Sequence, residues 1–199
     1  MTKKNITCRL TPAAEKAIAG EKNKSAAISR AVECWATCER QAMLSLKGKF
    51  TSAELSAFID VLNGTIISAA QASALRFEFE DACQLDGLDQ KWKIQKDAVL
   101  AIFDTLSPAE WIVLVYFCRS FWSNPEQNLA EFVKTLAKKT FRVREKEAGN
   151  PIEEFFTFVE AENAIKKYEK DDKEEGNYTP NFYEIAEFNP ETENWEVVS

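Results

Sequence analysis

The residues between Lys4 and Leu10 constrain the chain most. Lys-Asn-Ile-Thr-Cys-Arg-Leu alternates polar and apolar side chains with period two, the pattern of a strand with one face buried. Thr11 and Pro12 then supply an N-cap and a first helical residue for a short helix to about Ala19. After a break around Gly20 to Lys24, a longer helix opens at Lys24-Ser25-Ala26-Ala27-Ile28-Ser29-Arg30-Ala31-Val32. A single strand leaves its backbone donors and acceptors without partners. No second strand-like segment lies nearby, so the economical partner is the same strand of another copy.

This strand-helix-helix order resembles the ribbon-helix-helix DNA-binding family over about residues 4–40, and Lys24 to Val32 is similar to the start of that family's second helix. The resemblance implies an intertwined homodimer whose two-stranded antiparallel ribbon enters the major groove of double-stranded DNA. It places Ile6, Cys8 and Leu10 inward and Asn5, Thr7 and Arg9 outward, where the family reads bases. Arginine binds guanine bidentately, asparagine binds adenine, and threonine offers a hydroxyl and a methyl group. The amides of Lys24 and Ser25, at a helix start, are then placed to clamp a phosphate. The first helix is several residues shorter than is usual in the family.

Charge is distributed unevenly. The chain carries −7, but residues 1–50 hold ten basic against four acidic side chains, net +6, and residues 51–199 hold fifteen against twenty-eight, net −13. A basic nucleic-acid-binding end joined to an acidic body produces this asymmetry. The bland alternative is that Lys3, Lys4, Lys22, Lys24, Lys47 and Lys49 only solubilise the chain.

The expected fold class is mainly α, with an N-terminal ribbon-helix-helix unit (1–46), a central helical bundle (51–139) and a small acidic α+β element with a hairpin (140–199). Helix two is expected to reach about Leu46 and to bury Ile28, Ala31, Val32, Trp35 and Met43 at helical spacing. Thr51-Ser-Ala-Glu54 is a capping-box pattern for a helix over 53–62 that stops at Asn63-Gly64. Further helices are expected from about Ala69 to Leu85, before a turn at Asp86-Gly87-Leu88-Asp89, and from Gln95 to Leu106. Ser107-Pro-Ala-Glu110 combines N-cap, N1 proline and N3 glutamate. It opens a helix whose Trp111, Ile112, Leu114, Val115, Tyr116, Phe117 and Trp122 suggest burial on several sides. Asn124-Pro125-Glu126 is read as the cap of a helix to about Lys138.

Beyond Lys139 the period changes to two. Phe141–Arg144 and Phe155–Val159 read as strands around a turn at 148–151, followed by a helix from Ala161 to Lys170 and a charged loop from Asp171 to Asn177. A hairpin pairs Phe182–Phe188 with Trp195–Val198. A competing reading makes Pro151 the start of one long helix to Lys170, but the aromatics Phe155, Phe156 and Phe158 favour a pleated surface.

Chemistry is thin. The chain has no histidine, hence no imidazole base or metal ligand, and its six glycines are scattered rather than gathered in a phosphate-cradling loop. Cys34 and Cys38 lie one helical turn apart, but nothing completes a four-ligand metal site. They read as buried small hydrophobes of a reduced, cytoplasmic protein. Glu78, Glu80, Asp81, Asp86 and Asp89 form an acidic group whose spacing matches no calcium loop. No apolar run is long enough to span a membrane. No enzyme, cofactor or metal is therefore expected. The function expected is a homodimeric, sequence-specific transcriptional regulator whose DNA contacts are Asn5, Thr7, Arg9, Lys24 and Ser25. The alternative is a phage- or mobile-element-type inhibitor, mimicking nucleic acid, that engages a protein partner through residues 51–199.

Overall fold

The computed structural model describes residues 12–124, 126–189, 192 and 194–198. The expected strand over residues 4–10, with Asn5, Thr7, Cys8 and Arg9, lies outside the described residues, as does Pro125. The chain divides into two units, one ending at Gln41 and the other beginning at Ala42.

The first unit holds α1 (Pro12–Ala17) and, after a turn, α2 (Lys24–Leu46) as far as Gln41, close to the expected boundaries; the last residues of α2 belong to the second unit. Asn23 starts α2, its side-chain oxygen accepting the Ala26 N–H at 3.0 Å. Ala27 is buried and Ile28 half-buried, but residues 29–41 are all exposed, including Ala31, Val32 at 61 % and Trp35 at 40 %. This corrects the expected burial of that stripe. Cys34 and Cys38 are exposed too, not the buried hydrophobes expected. The periodicity is present, but Ala31 and Val32 stay at the surface among the described residues.

The second unit holds a helical core and a sheet. Its helices are α3 (Ser52–Gly64), a 3-10 segment (Ala69–Ala74), α4 (Leu75–Asp86), α5 (Leu88–Trp92), α6 (Lys96–Phe103), α7 (Pro108–Ser120) and α8 (Leu129–Lys134). The capping boxes of α3 (Thr51, Glu54) and α7 (Ser107, Glu110) both form. Phe50, Phe58, Phe79 and Phe103 are fully buried, their rings packed at centroid distances of 5.0–5.7 Å, with Trp111 at 4.8 Å from Phe103. Edge-to-face and tilted ring contacts of this kind add to the burial of apolar area.

Three boundaries differ from expectation. The segment from Ala69 is broken at Gln71, whose φ of −117° leaves the helical region, so α4 begins only at Leu75. The turn at Gly87 is real, with φ +63°, but a further helical turn, α5, follows at once. The helix before Lys138 is capped by Asn128 rather than near Asn124 and ends at Lys134.

The C-terminal sheet is antiparallel in the order β2-β1-β3-β4: β1 Phe141–Glu145, β2 Pro151–Phe155, β3 Tyr183–Asn189, β4 Asn194–Val197. Helix α9 (Phe158–Glu175) lies on it, and Val143, Ala161 and Ile185 form a small second core. Phe158 and Val159, expected in a strand, open α9 instead. Thr157 Oγ accepts the Glu160 N–H, while the Glu160 carboxylate accepts the Thr157 N–H at 3.1 Å. This local capping box overrides the strand preference of the aromatic run, and α9 absorbs the expected charged loop as far as Glu175. Among the described residues, no helix is long and apolar enough to cross a membrane.

Candidate nucleic-acid interface

Of the five side chains expected at the DNA, Asn5, Thr7 and Arg9 fall outside the described residues. Lys24 and Ser25 occupy the first turn of α2, and both are exposed. Asn23 engages the N–H of Ala26 through its side chain and that of Ala27 through its carbonyl at 3.0 Å. The amides of Lys24 and Ser25 precede the first intrahelical bond, so they face outward as donors at the positive end of the helix dipole. Arg30 reaches back to Glu21 at 3.1 Å and ties the second turn of α2 to the connecting segment. That pair is well exposed and contributes little stability; its effect is to hold Arg30 near the helix start. Lys16 and Lys22 are exposed alongside in the same short segment.

The chemistry available here is that of anion contact: a helix start, an ammonium at Lys24 and a hydroxyl at Ser25. Among the described residues no group of three acidic or cysteine side chains is placed to bind a metal ion, so the exposed pair Cys34 and Cys38 has no third ligand there.

The acidic group on α4 and after it is split by its partners. Glu80 pairs with Arg76 at 3.2 Å, and Arg76 also holds Asp104 at 2.9 Å. Glu78 comes within 3.5 Å of the Thr65 hydroxyl. Asp81 and Asp86 are exposed. Glu78, Asp81 and Asp86 nevertheless line one groove, together with Asp60 and Lys91.

One polar centre escaped sequence reasoning. Glu110 is buried beneath the end of α2, where its carboxylate accepts from Ser45 Oγ at 2.5 Å, Lys49 Nζ at 2.8 Å and the Ser107 N–H at 2.8 Å. Burial pushes the Glu110 carboxyl up, but the bonds from Lys49, Ser107 and Ser45 outweigh it and hold the group at about 2. The capping box announced Glu110; its long-range partners, more than sixty residues upstream, carried no local signal. The centre is closed by its own hydrogen bonds and serves the fold. No protein-family model, curated protein or solved structure matches this chain.

Proposed function

We propose that this protein is a DNA-binding transcriptional regulator that acts as a homodimer through its first unit. The observation that supports this reading is the exposed middle of α2. Residues 29–41 are helical yet wholly exposed, with Ala31 and Val32 on a stripe at helical spacing. An uncovered helix of this length is marginal in water and is normally held by packing of its apolar face. A second copy of the same unit offers such a surface, and dimerisation doubles the basic footprint of the N-terminal region. In the dimer, Asn5, Thr7 and Arg9 read bases while Lys24 and Ser25 hold the backbone.

Val32→Glu tests the reading. Val32 is exposed within one chain, so the charge should leave the fold of the second unit unchanged while breaking the dimer. Light scattering should report a dimer for the unaltered protein and a monomer for the variant, and the variant should lose binding to DNA from upstream of its own gene. A monomeric unaltered protein would refute the proposal.

A further inference from the structure

The second unit is acidic overall, with seventeen basic against twenty-eight acidic side chains from residue 42 onward, net −11. Its basic residues are not spread evenly. Two backbone hydrogen bonds lay the segment after α2 beside the segment after α8: Gly48 N–H donates to the Leu136 carbonyl at 2.9 Å, and Lys138 N–H donates to the Phe50 carbonyl at 2.6 Å. The two lysine-bearing turns, ninety residues apart in sequence, thereby meet. They border a groove of about 520 Å³ lined by Lys47, Lys134, Lys138 and Lys139, with Glu154 its one acidic lining residue.

Aromatic rings line the same groove. Phe156, Phe188 and Trp195 are each half-exposed there. Phe188 and Trp195 pack edge to face at 5.4 Å, and the Arg142 guanidinium lies over the Trp195 ring at 3.9 Å, so a base has the remaining exposed part of the pair to stack on. Lys138 Nζ lies 3.9 Å from the Phe188 centroid and takes part in no ion pair among the described residues; Lys139 lies over Phe156 at 5.6 Å. Lys134 is satisfied by Glu131 and Glu160. Lys47 and Lys139 form no ion pair among the described residues, while Lys138, partly desolvated, also feels the charge of Glu54.

We propose that this groove binds single-stranded nucleic acid, with phosphates on Lys47, Lys138 and Lys139 and a base stacked on the Phe188–Trp195 pair. Charge complementarity selects a polyanion: a locally positive groove on an otherwise negative unit attracts at contact range, while the distant carboxylates are screened beyond about 10 Å at ordinary salt. The half-exposed rings select bases, since any base offers a π-face to an aromatic side chain and a duplex keeps its faces stacked inside. A paired, stacked duplex cannot present a base to the groove, so the site is separate in chemistry from the major-groove contacts proposed for residues 5–25.

The test uses the full chain and fluorescein-labelled oligo-dT of about ten nucleotides, followed by anisotropy across a salt series. The unaltered protein should bind, with affinity falling as salt rises. The double variant Lys47→Ala/Lys139→Ala removes two exposed side chains and should weaken binding at least about tenfold, flattening the logarithmic salt slope by about 1.4. Trp195→Leu should weaken binding without changing that slope. Binding of the duplex operator should survive both changes, whereas Lys24→Ala should lower duplex binding and leave oligo-dT binding unchanged. Absence of oligo-dT binding at low salt, an unchanged affinity in the double lysine variant, or loss of oligo-dT binding in Lys24→Ala would each overturn the proposal.

Discussion

At Glu110 the cost of burying a carboxylate is offset by four donors from Ser45, Lys49 and Ser107, and the balance has a consequence for acid stability. Its pKa in the folded protein lies at about 2, below the ordinary 4.5 of the unfolded chain. A group depressed in this way contributes stability above the unfolded value and loses it as pH falls through the folded one. The contribution, on the order of 3 kcal/mol at neutral pH, should disappear between about pH 4.5 and 2. Glu110→Gln should therefore destabilise the protein markedly at pH 7 and scarcely at all near pH 2. Urea melts of both proteins across that range provide the check; equal destabilisation at both ends would mean that packing, not charge, holds the site.

Among the elements, α9 shows most clearly how a short signal outweighs a broader one. Aromatic content around Phe155 to Val159 points to a strand, while Thr157 and Glu160, three residues apart, dictate a helix start. The cap satisfies N–H groups that would otherwise be left without partners. Glu160 has a second role: its carboxylate also accepts from Lys134 at the end of α8, so the same side chain joins helix and sheet layers. Thr157→Ala should cost about 1 kcal/mol, seen as a lower thermal midpoint. A loss below a few tenths would mean that the sheet, not the cap, places the helix. The interior of α7 behaves differently. Trp111, Val113, Leu114, Val115 and Cys118 are buried, whereas Tyr116, and Trp122 just beyond the helix, are among the exposed large residues, so an almost continuous apolar run still leaves one side to solvent.

For the molecule as a whole, the division at Gln41 separates a helical pair rich in exposed positions from a body with its own core. Every buried member of the main core lies at or beyond Ala42. Removing residues 1–41 should leave a body that unfolds cooperatively, with a midpoint only slightly lowered by fraying of the shortened α2. Calorimetry would show this, and a non-cooperative melt would contradict it. On the proposed function the shortened protein should also lose DNA binding, because Asn5, Thr7, Arg9, Lys24 and Ser25 go with the deleted segment.

The amino-acid sequence by itself determined what depends on neighbours within a few residues. Thr51 with Glu54 and Ser107 with Glu110 announced α3 and α7, Gly87 marked the end of α4, and the period-two runs at 141–144 and 182–188 announced strands, because caps, left-handed turns and pleats act over one to four positions. Only the tertiary structure decided what depends on distant partners. It set Lys47 beside Lys139, brought Ser45 and Lys49 to Glu110, and left Val32 and Trp35 at the surface. Helical spacing identifies a stripe but not what covers it: two chains with the same period differ in burial according to what the rest of the fold brings alongside. The lysines after α2 and α8 each looked like helix-ending residues, and only the backbone bonds at Gly48 and Lys138 made them one groove.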